Sequence, residues 1–177
     1  MLTADQTKEH DHWIAKVCEQ LNKLIQLDVD AACSYREAIS HVEDASARVD
    51  LEAFLFDHER HVMELTSVIR DLGGTPIDAH RDFKGALLEG MTRLRSRGTL
   101  GALRAMRMNE RLTNRTYDRA LDVYMPPIAQ AIVIENLKDE RRHLAAIEAH
   151  IARLTGTPVV DIVPPDPEDR ERPFPLM

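Results

Sequence analysis

Residues that break helices are scarce in this sequence. Its 177 residues include only seven glycines and nine prolines, and five of the prolines lie after residue 160. Because glycine and proline are the strongest helix breakers, the rest of the chain is free to form long helices. At this length a single domain can bury a sizeable hydrophobic core.

Cysteine is scarce as well. Cys18 and Cys33 are 15 residues apart in one predicted helix. That spacing separates them by roughly 22 Å along the axis and prevents a disulfide between them. Residues 1–12 are polar and acidic, unlike a signal peptide, and no apolar run has the length of a membrane span. We therefore expect a reduced, cytoplasmic protein with no membrane partner.

Positive charge is not in excess. The chain has 23 Lys and Arg against 30 Asp and Glu, a formal net charge of −7, which argues against a nucleic-acid partner. Arginines cluster between residues 93 and 107, but acidic residues flank them. We interpret this stretch as a solvated helix face.

Apolar residues recur at helical spacing and predict an all-α protein. The expected helical segments are residues 3–42, 44–72, 82–97, 99–125 and 126–156, of which 82–97 is short and amphipathic. The first is either one helix or begins with a separate or kinked piece around Trp13. Six prolines follow Gly156, so we expect a bundle of residues 1–155. Residues 156–177 then form a Pro-rich tail that is disordered or extended along a neighbouring subunit.

The sequence repeats itself at an offset of 82 residues, without a gap from residue 21 to 76. The matched pairs include Asp28 with Glu110, Tyr35 with Tyr117, Asp57 with Asp139, His61 with His143, and Gly74-Thr75-Pro76 with Gly156-Thr157-Pro158. Such self-similarity indicates a duplicated structural unit. The predicted fold is a four-helix bundle of two antiparallel hairpins, joined by a long crossover that contains the short helix.

Polar residues in the helix stripes fall at one height of this bundle. In each hairpin an acidic residue lies 15 positions before the turn, a histidine or glutamate lies 15 positions after it, and a second histidine follows one helical turn later. Packed about a pseudo-two-fold axis, the hairpins bring six side chains into one layer. They are Asp28, His58, His61, Glu110, Glu140 and His143.

The chemistry of this layer suits metal ions. Buried charges are costly unless they are compensated, and two divalent cations would neutralise the three acids. Carboxylates and imidazoles provide the oxygen and nitrogen ligands that Fe and Mn accept. Glu140 and His143 are three residues apart and can hold one ion together. A two-metal site is the favoured interpretation, and a one-metal site and a metal-free bundle are the alternatives.

The motif resembles that of the ferritin-like superfamily, which includes bacterioferritins and rubrerythrins. Its pattern is an acidic residue with Tyr seven positions later, then Glu-x-x-His on the next helix, all repeated. The second half of the chain matches every position and the first half matches partly, over about residues 18–155. The nearest resemblance is to small ferritin-like proteins of bacteria. Two departures are Asp28, in place of Glu, and His58, in place of a bridging Glu, which make the site richer in nitrogen.

This resemblance implies a ferritin-like four-helix bundle that holds two iron ions, or iron and manganese, and reacts with O2 or peroxide in iron handling or oxidative-stress protection. Tyr35 and Tyr117 are the candidate catalytic residues, and hydrogen bonding to ligand carboxylates is favoured over radical transfer or a plain core role. Asp139 is expected to accept a hydrogen bond from a ligand histidine.

A second hypothesis has no enzymatic activity. The protein is then a helical module, and its duplicated polar layer is a relic of a metal site. The amphipathic segment 82–97 and the Pro-rich tail would serve partner contacts. Under either hypothesis we expect a homo-oligomer, a dimer or larger.

Overall fold

The computed structural model describes residues 4–78 and 98–157, which form four long helices and contain no strand. The helices are α1 (Ala4–His41), α2 (Ala45–Asp71), α3 (Gly98–Ala120) and α4 (Pro127–Thr155). They confirm the predicted all-α bundle. Within this part of the chain, none of the helices is long and apolar enough to cross a membrane. The predicted short helix at 82–97 and the tail beyond residue 157 lie outside the described residues.

The helices pack as two antiparallel hairpins side by side. α1 packs against α2 and α3, and α4 packs against α3 and α2. The start of α3 lies beside the α1–α2 turn, where the Glu43 amide donates to Thr99 Oγ1 at 2.9 Å. The end of α4 lies at the same place, because Arg153 Nη2 is 2.7 Å from Asp44 Oδ1. α2 and α3 therefore run in the same direction, and the chain between them connects opposite ends of the bundle, as the crossover topology requires.

Local signals in the sequence explain three of the helix ends. The Asp44 side chain caps α2 by accepting a hydrogen bond from the Ala47 amide at 2.9 Å. Pro127 is the first residue of α4, a position where proline is favoured. Gly156 ends that helix with φ of 68°, a left-handed conformation that suits glycine.

The end of α3 differs from the prediction, which extended this helix to residue 125. α3 ends at Ala120, and the chain turns there through hydrogen bonds from Asp122 N to Arg119 O (3.1 Å) and from Val123 N to Ala120 O (3.2 Å). Apolar periodicity continues past the helix and so did not mark its end. Pro126 excludes only Met125, the residue before it, from the helical region, and the turn at Ala120 comes earlier.

α1 is one continuous helix of 38 residues, which decides between the two alternatives for its first part. Trp13 anchors this part to the α3–α4 turn. Its ring stacks on Tyr124 with centroids 5.6 Å apart, and its Nε1–H donates to the Tyr124 carbonyl at 2.8 Å. The N-terminal half of α1 thereby packs against the second hairpin.

The hydrophobic core has two separate clusters, one toward each end of the bundle. One cluster includes Leu21, Leu24, Leu65 and Leu137, and the other includes Leu51, Leu103, Met106 and Ile147. All eight are at most 1% exposed. Between the two clusters lies the predicted polar layer, which is thereby shielded from solvent at both ends.

Candidate metal centre

The polar layer contains all six predicted residues, and each of them is 0% exposed. One acid comes from α1, one from α3 and one from α4, while α2 contributes two histidines and α4 contributes one. The layer comprises Asp28, His58, His61, Glu110, Glu140 and His143. The structure therefore brings together every side chain that the equal-height argument placed in the layer.

Four of these side chains form a first group of candidate ligands, Asp28, His58, His61 and Glu140, whose ligand atoms all lie within 4.8 Å of one another. His61 Nδ1 is 3.2 Å from Glu140 Oε1 and 3.5 Å from Asp28 Oδ1. At these separations a single cation placed among the atoms can contact several of them.

A second group consists of His58, Glu110, Glu140 and His143, again with ligand atoms within 4.8 Å of one another. His143 Nδ1 is 3.8 Å from Glu110 Oε2 and 3.9 Å from Glu140 Oε2. This group is related to the first by the sequence repeat, since Glu110 and His143 are the mates of Asp28 and His61.

His58 and Glu140 belong to both groups and are themselves repeat mates. His58 presents one ring nitrogen to each side: Nδ1 is 2.9 Å from Asp28 Oδ1, and Nε2 is 3.6 Å from Glu110 Oε1. Glu140 has two oxygens for the same purpose. The position of the expected bridging glutamate in the first hairpin is thus filled by an imidazole that also faces both groups.

The two predicted tyrosines hold the carboxylates of the opposite hairpin. Tyr35 Oη donates to Glu110 Oε1 at 2.6 Å, and Tyr117 Oη donates to Asp28 Oδ2 at 2.5 Å. Burial and the neighbouring carboxylates raise the pKa of both phenols well above 10. Both tyrosines are therefore protonated donors, as the favoured interpretation required.

Two aspartates outside the layer hold the outer nitrogens of two histidines. Asp139 Oδ2 is 3.3 Å from His61 Nε2, which agrees with the role predicted for Asp139. Asp57 Oδ2 is 3.1 Å from His143 Nε2, a contact that the sequence reasoning missed. The signal was available, because Asp57 and Asp139 are repeat mates. An acceptor of this kind fixes the ring orientation and leaves the inner nitrogen free for a ligand.

Two arginines complete the outer shell of the layer. Arg60 Nη2 lies 2.9 Å from Asp57 Oδ1 and 2.5 Å from Asp139 Oδ2. Arg142, the repeat mate of Arg60, lies 2.6 Å from Asp57 Oδ2 and 2.8 Å from Asp139 Oδ1. Partial burial would raise the pKa of Asp57, but hydrogen bonds from His143 and Arg60 hold it at about 2. For Asp139 burial acts in the same direction, but hydrogen bonds from His61 and Arg60 lower the pKa, so both aspartates stay ionised.

The surroundings of the two groups are not identical. Phe54 stacks on His143 with ring centroids 4.2 Å apart. Its repeat mate is Asn136, which is 0% exposed. In the amide orientation that satisfies both ends of its side chain, Asn136 donates to Ile132 O at 3.2 Å and to Glu64 Oε2 at 3.1 Å. The first group thus has a polar neighbour where the second has an aromatic one.

The three buried acids do not share one protonation state. Burial raises the pKa of Glu140 to about 8, and the charges of Glu110 and Asp28 add to this effect, while His58 opposes it. For Asp28 and Glu110 burial acts in the same direction, but hydrogen bonds and charges from the histidines lower the pKa overall. At neutral pH two carboxylates are ionised and Glu140 is largely protonated.

The histidines balance the two ionised carboxylates. Burial lowers the pKa of an imidazole, but the carboxylates of Asp139, Asp28 and Glu140 beside the His61 ring raise its pKa to about 10. The pKa of His58 is likewise raised well above its usual value, by Glu140 and Asp28 against the effect of burial. For His143 burial prevails and lowers the pKa. Without metal the layer is close to neutral, with two imidazolium ions facing two carboxylates.

The donor atoms of the layer fit bound metal ions. Among the described residues, six buried atoms of the layer have no hydrogen-bond partner: His58 Nε2, His61 Nδ1, Glu110 Oε2, Glu140 Oε1, Glu140 Oε2 and His143 Nδ1. Buried polar atoms are nearly always paired, so a cluster of unpaired ones needs an explanation. All six belong to the two groups, and each is an oxygen or nitrogen of the kind that binds Fe, Mn or Zn.

Comparison with solved structures gives the same fold. A two-domain protein containing DJ-1/ThiJ/PfpI-like and ferritin-like domains from Anabaena variabilis ATCC 29413 aligns with 86% of this chain at a TM-score of 0.68 and 16% identity. This chain spans 40% of that protein's length. A ferritin-like diiron-carboxylate protein from Bacillus anthracis str. Ames aligns over 82% of this chain and 96% of its own, at a TM-score of 0.53 and 20% identity.

Sequence comparison identifies a family. No curated protein sequence matches this chain. Residues 16–123, more than half of the chain, match the family described as "Domain of unknown function (DUF2383)". This match includes α1 from residue 16 onward, α2 and α3, while the structural likenesses extend over most of the chain. The chain therefore belongs to the DUF2383 family, and its fold is that of a ferritin-like four-helix bundle.

Proposed function

We propose that this protein binds two metal ions in the polar layer, most readily two iron ions or iron with manganese, and that the loaded centre reacts with O2 or peroxide. The role would be iron handling or protection against oxidative stress. Asp28, His61 and Glu140 would hold one ion, Glu110, His143 and Glu140 the other, and His58 lies within reach of both.

One observation carries this proposal. The six unpartnered buried donor atoms divide between two adjacent groups that share His58 and Glu140. A structural polar network would pair these atoms with each other, because an unpaired buried donor or acceptor is costly. The diiron-carboxylate description of the Bacillus anthracis protein, which shares the fold, supports the same interpretation by analogy.

The chain's residues suit a redox reaction that must be isolated from water. With two Fe(II) ions held there, the centre would supply the two electrons that reduce one molecule of hydrogen peroxide to two of water, with uptake of two protons. Tyr35 and Tyr117 orient the carboxylates of Glu110 and Asp28 through their hydrogen bonds. The apolar clusters on both sides exclude bulk water, which strengthens electrostatic interactions inside the layer.

Anaerobic titration of the chelator-stripped protein with Fe(II) should reach two equivalents per chain and should raise the melting temperature, because the folded state alone has the assembled ligands. The double variant His61→Ala/His143→Ala should lose both effects. His41→Ala, which removes an imidazole outside the layer, should behave as the wild type. Unchanged melting and no stoichiometric binding in the wild type would instead support the metal-free helical module.

Admitting air, or one equivalent of hydrogen peroxide per centre, to the Fe(II)-loaded protein should produce ferric absorbance in the near ultraviolet, because both electrons come from one pair of ions. The same iron added to the His61→Ala/His143→Ala variant should oxidise no faster than iron in buffer. Iron that stays ferrous in the loaded wild type would leave metal binding intact and refute the proposed reactivity.

Asp57→Asn and Asp139→Asn form a matched pair of variants. Each removes the charged acceptor behind one ligand histidine, and loss of such a partner typically weakens metal affinity by about 10–100-fold. Calorimetric titration with Mn(II) should show that each substitution weakens one of the two binding events. Asp50→Asn, which alters the contact with His150 outside the layer, should leave both events unchanged. Equal affinities in all four proteins would contradict the assigned role of the two aspartates.

Stability without metal should fall as the pH rises. Glu140 has a folded pKa of about 8 and His61 one of about 10, both above their unfolded values of about 4.3 and 6.5. Each raised pKa contributes stability that is present below the unfolded value and is lost as the pH rises through the folded one. Metal-free protein should therefore melt at a progressively lower temperature between about pH 6 and pH 10.

Bound metal should reverse this trend, because metal binding requires deprotonated ligands and strengthens as the pH rises. The difference between the melting temperatures of Mn(II)-loaded and stripped protein should widen from pH 6 to pH 9. Calorimetry in buffers of different ionisation enthalpy should show proton release on metal binding. A difference that stays constant, with no proton release, would exclude the assigned protonation of Glu140 and His61.

A further inference from the structure

A series of polar side chains leads from the protein surface to the first group of candidate ligands. It begins at Glu64 of α2, whose side chain is 35% exposed. Glu64 Oε2 accepts from the Asn136 amide at 3.1 Å in the orientation that satisfies both ends of that amide. The other end of the amide lies 3.5 Å from Tyr117 Oη, which donates to Asp28 Oδ2 at 2.5 Å. We call Glu64, Asn136 and Tyr117 the polar line.

The sequence repeat shows which side chains take these places beside the second group. At the offset of 82, the surface end of the polar line corresponds to Ala146 and its middle to Phe54, while Tyr35 takes the place of the tyrosine. Phe54 is buried and contacts Tyr35, with ring centroids 6.2 Å apart. Alanine and phenylalanine side chains have no hydrogen-bonding atom. On this side, apolar side chains therefore stand between the second group and the surface.

The outer aspartates do not produce this difference between the two groups. Asp57 and Asp139 are repeat mates, and each contacts the outer nitrogen of one ligand histidine. Arg60 and Arg142 contact both aspartates. An approach from this face of the bundle is therefore the same for both groups, and the polar line is what distinguishes them.

Glu64 joins the polar line without giving up its ion pair. Its Oε1 lies 3.5 Å from Arg60 Nη1, whereas its Oε2 accepts from Asn136. The two oxygens of one carboxylate thus face the surface network and the buried amide. The polar line remains hydrogen-bonded at its outer end while Glu64 stays partly exposed.

The polar line can ease the passage of a cation because it replaces lost water. A divalent cation gives up hydration on its way into a buried site, which is costly wherever no protein oxygen takes the place of water. Carboxylate, amide and phenol oxygens can do this. Such groups follow one another along the polar line, whereas Ala146 and Phe54 provide none beside the second group.

We propose that the polar line is the path by which a divalent cation, Fe(II) or Mn(II), exchanges between solvent and the first group, and that the ion of the second group exchanges more slowly behind Phe54. This inference rests on the proposed two-metal function. It goes beyond that function by making the two ions unequal: one is replaceable and the other is retained. Asn136 and Glu64 act on the ion only as it enters or leaves.

Stopped-flow transfer of Mn(II) from the loaded protein to an excess of a metallochromic chelator tests this path. The wild type should release its two ions in two phases of equal amplitude. Asn136→Leu should slow the fast phase by about tenfold or more, because the passing ion loses a polar partner, and should leave the slow phase unchanged. A variant with loosened packing would release metal faster, so slower release separates this role from a merely structural one.

Glu64→Ala provides a second variant that does not disturb the core, because it truncates a partly exposed side chain to the residue found at its repeat mate. It should also slow the fast phase. Glu148→Ala is the matched control, since this carboxylate of α4 is 30% exposed and pairs with Arg111 outside the polar line. It should leave both phases unchanged. Slowing by Glu148→Ala equal to that by Glu64→Ala would overturn the proposal.

Substitutions of Phe54 test the second group in the opposite direction. Phe54→Asn places an amide where the polar line has one and should accelerate the slow phase. Phe54→Leu removes the ring without adding a polar atom and should accelerate it less. Equal acceleration by the two variants would show that space rather than polarity controls release, and the proposal would fail.

Failure of this inference can be told apart from failure of the proposed function. Equilibrium titration should give two equivalents of Mn(II) per chain in the wild type, Asn136→Leu and Glu64→Ala. Two bound ions that leave the wild type in a single phase, or that leave both variants at the wild-type rates, would refute the polar line and leave the two-metal centre standing. Absence of stoichiometric binding in the wild type would refute the proposed function itself.

Discussion

Charge in the middle of the bundle must be balanced within one thin layer. Three carboxylates and three imidazoles lie there between two apolar clusters, and none of them is exposed. An isolated buried charge would cost several kcal/mol. In the metal-free layer, protons on Glu140 and two imidazoles provide the balance, and in the proposed loaded state cations would take their place. The helix positions, the outer aspartates and the tyrosines are compatible with both states in one fold.

The layer is completed only when the two hairpins dock. Four contacts that orient candidate ligands cross from one repeat to the other. They are Tyr35 with Glu110, Tyr117 with Asp28, Asp57 with His143, and Asp139 with His61. A single hairpin would leave these four candidate ligands without their orienting partners. The duplicated sequence thus encodes two hairpins in which each orients side chains of the other. This explains why both repeats have the tyrosine (Tyr35 and Tyr117) and the aspartate (Asp57 and Asp139).

Much of the site was predictable because helices rise uniformly, so distances counted from a turn become heights in the bundle. The layer was therefore predictable from sequence alone. The end of α3 was not, because the apolar pattern continues through the turn that follows Ala120. The contact of Asp57 with His143 was missed because it depends on how α2 faces the adjacent helix α4. Counting residues along a helix gives the height of a side chain in the bundle. The direction in which that side chain points relative to the other helices is fixed only when the four helices pack.

The anchoring of α1 has a spectroscopic consequence. Trp13 is the only tryptophan in the chain, and it lies against Tyr124, 111 residues away. Its fluorescence emission therefore reports whether the first hairpin is in contact with the loop between α3 and α4. This contact is remote from the ionisable layer. Fluorescence would detect separation of the two halves of the molecule, whereas circular dichroism would follow the helices themselves. If the fluorescence changed under milder conditions than the circular dichroism during unfolding, the hairpins would remain helical after they had separated.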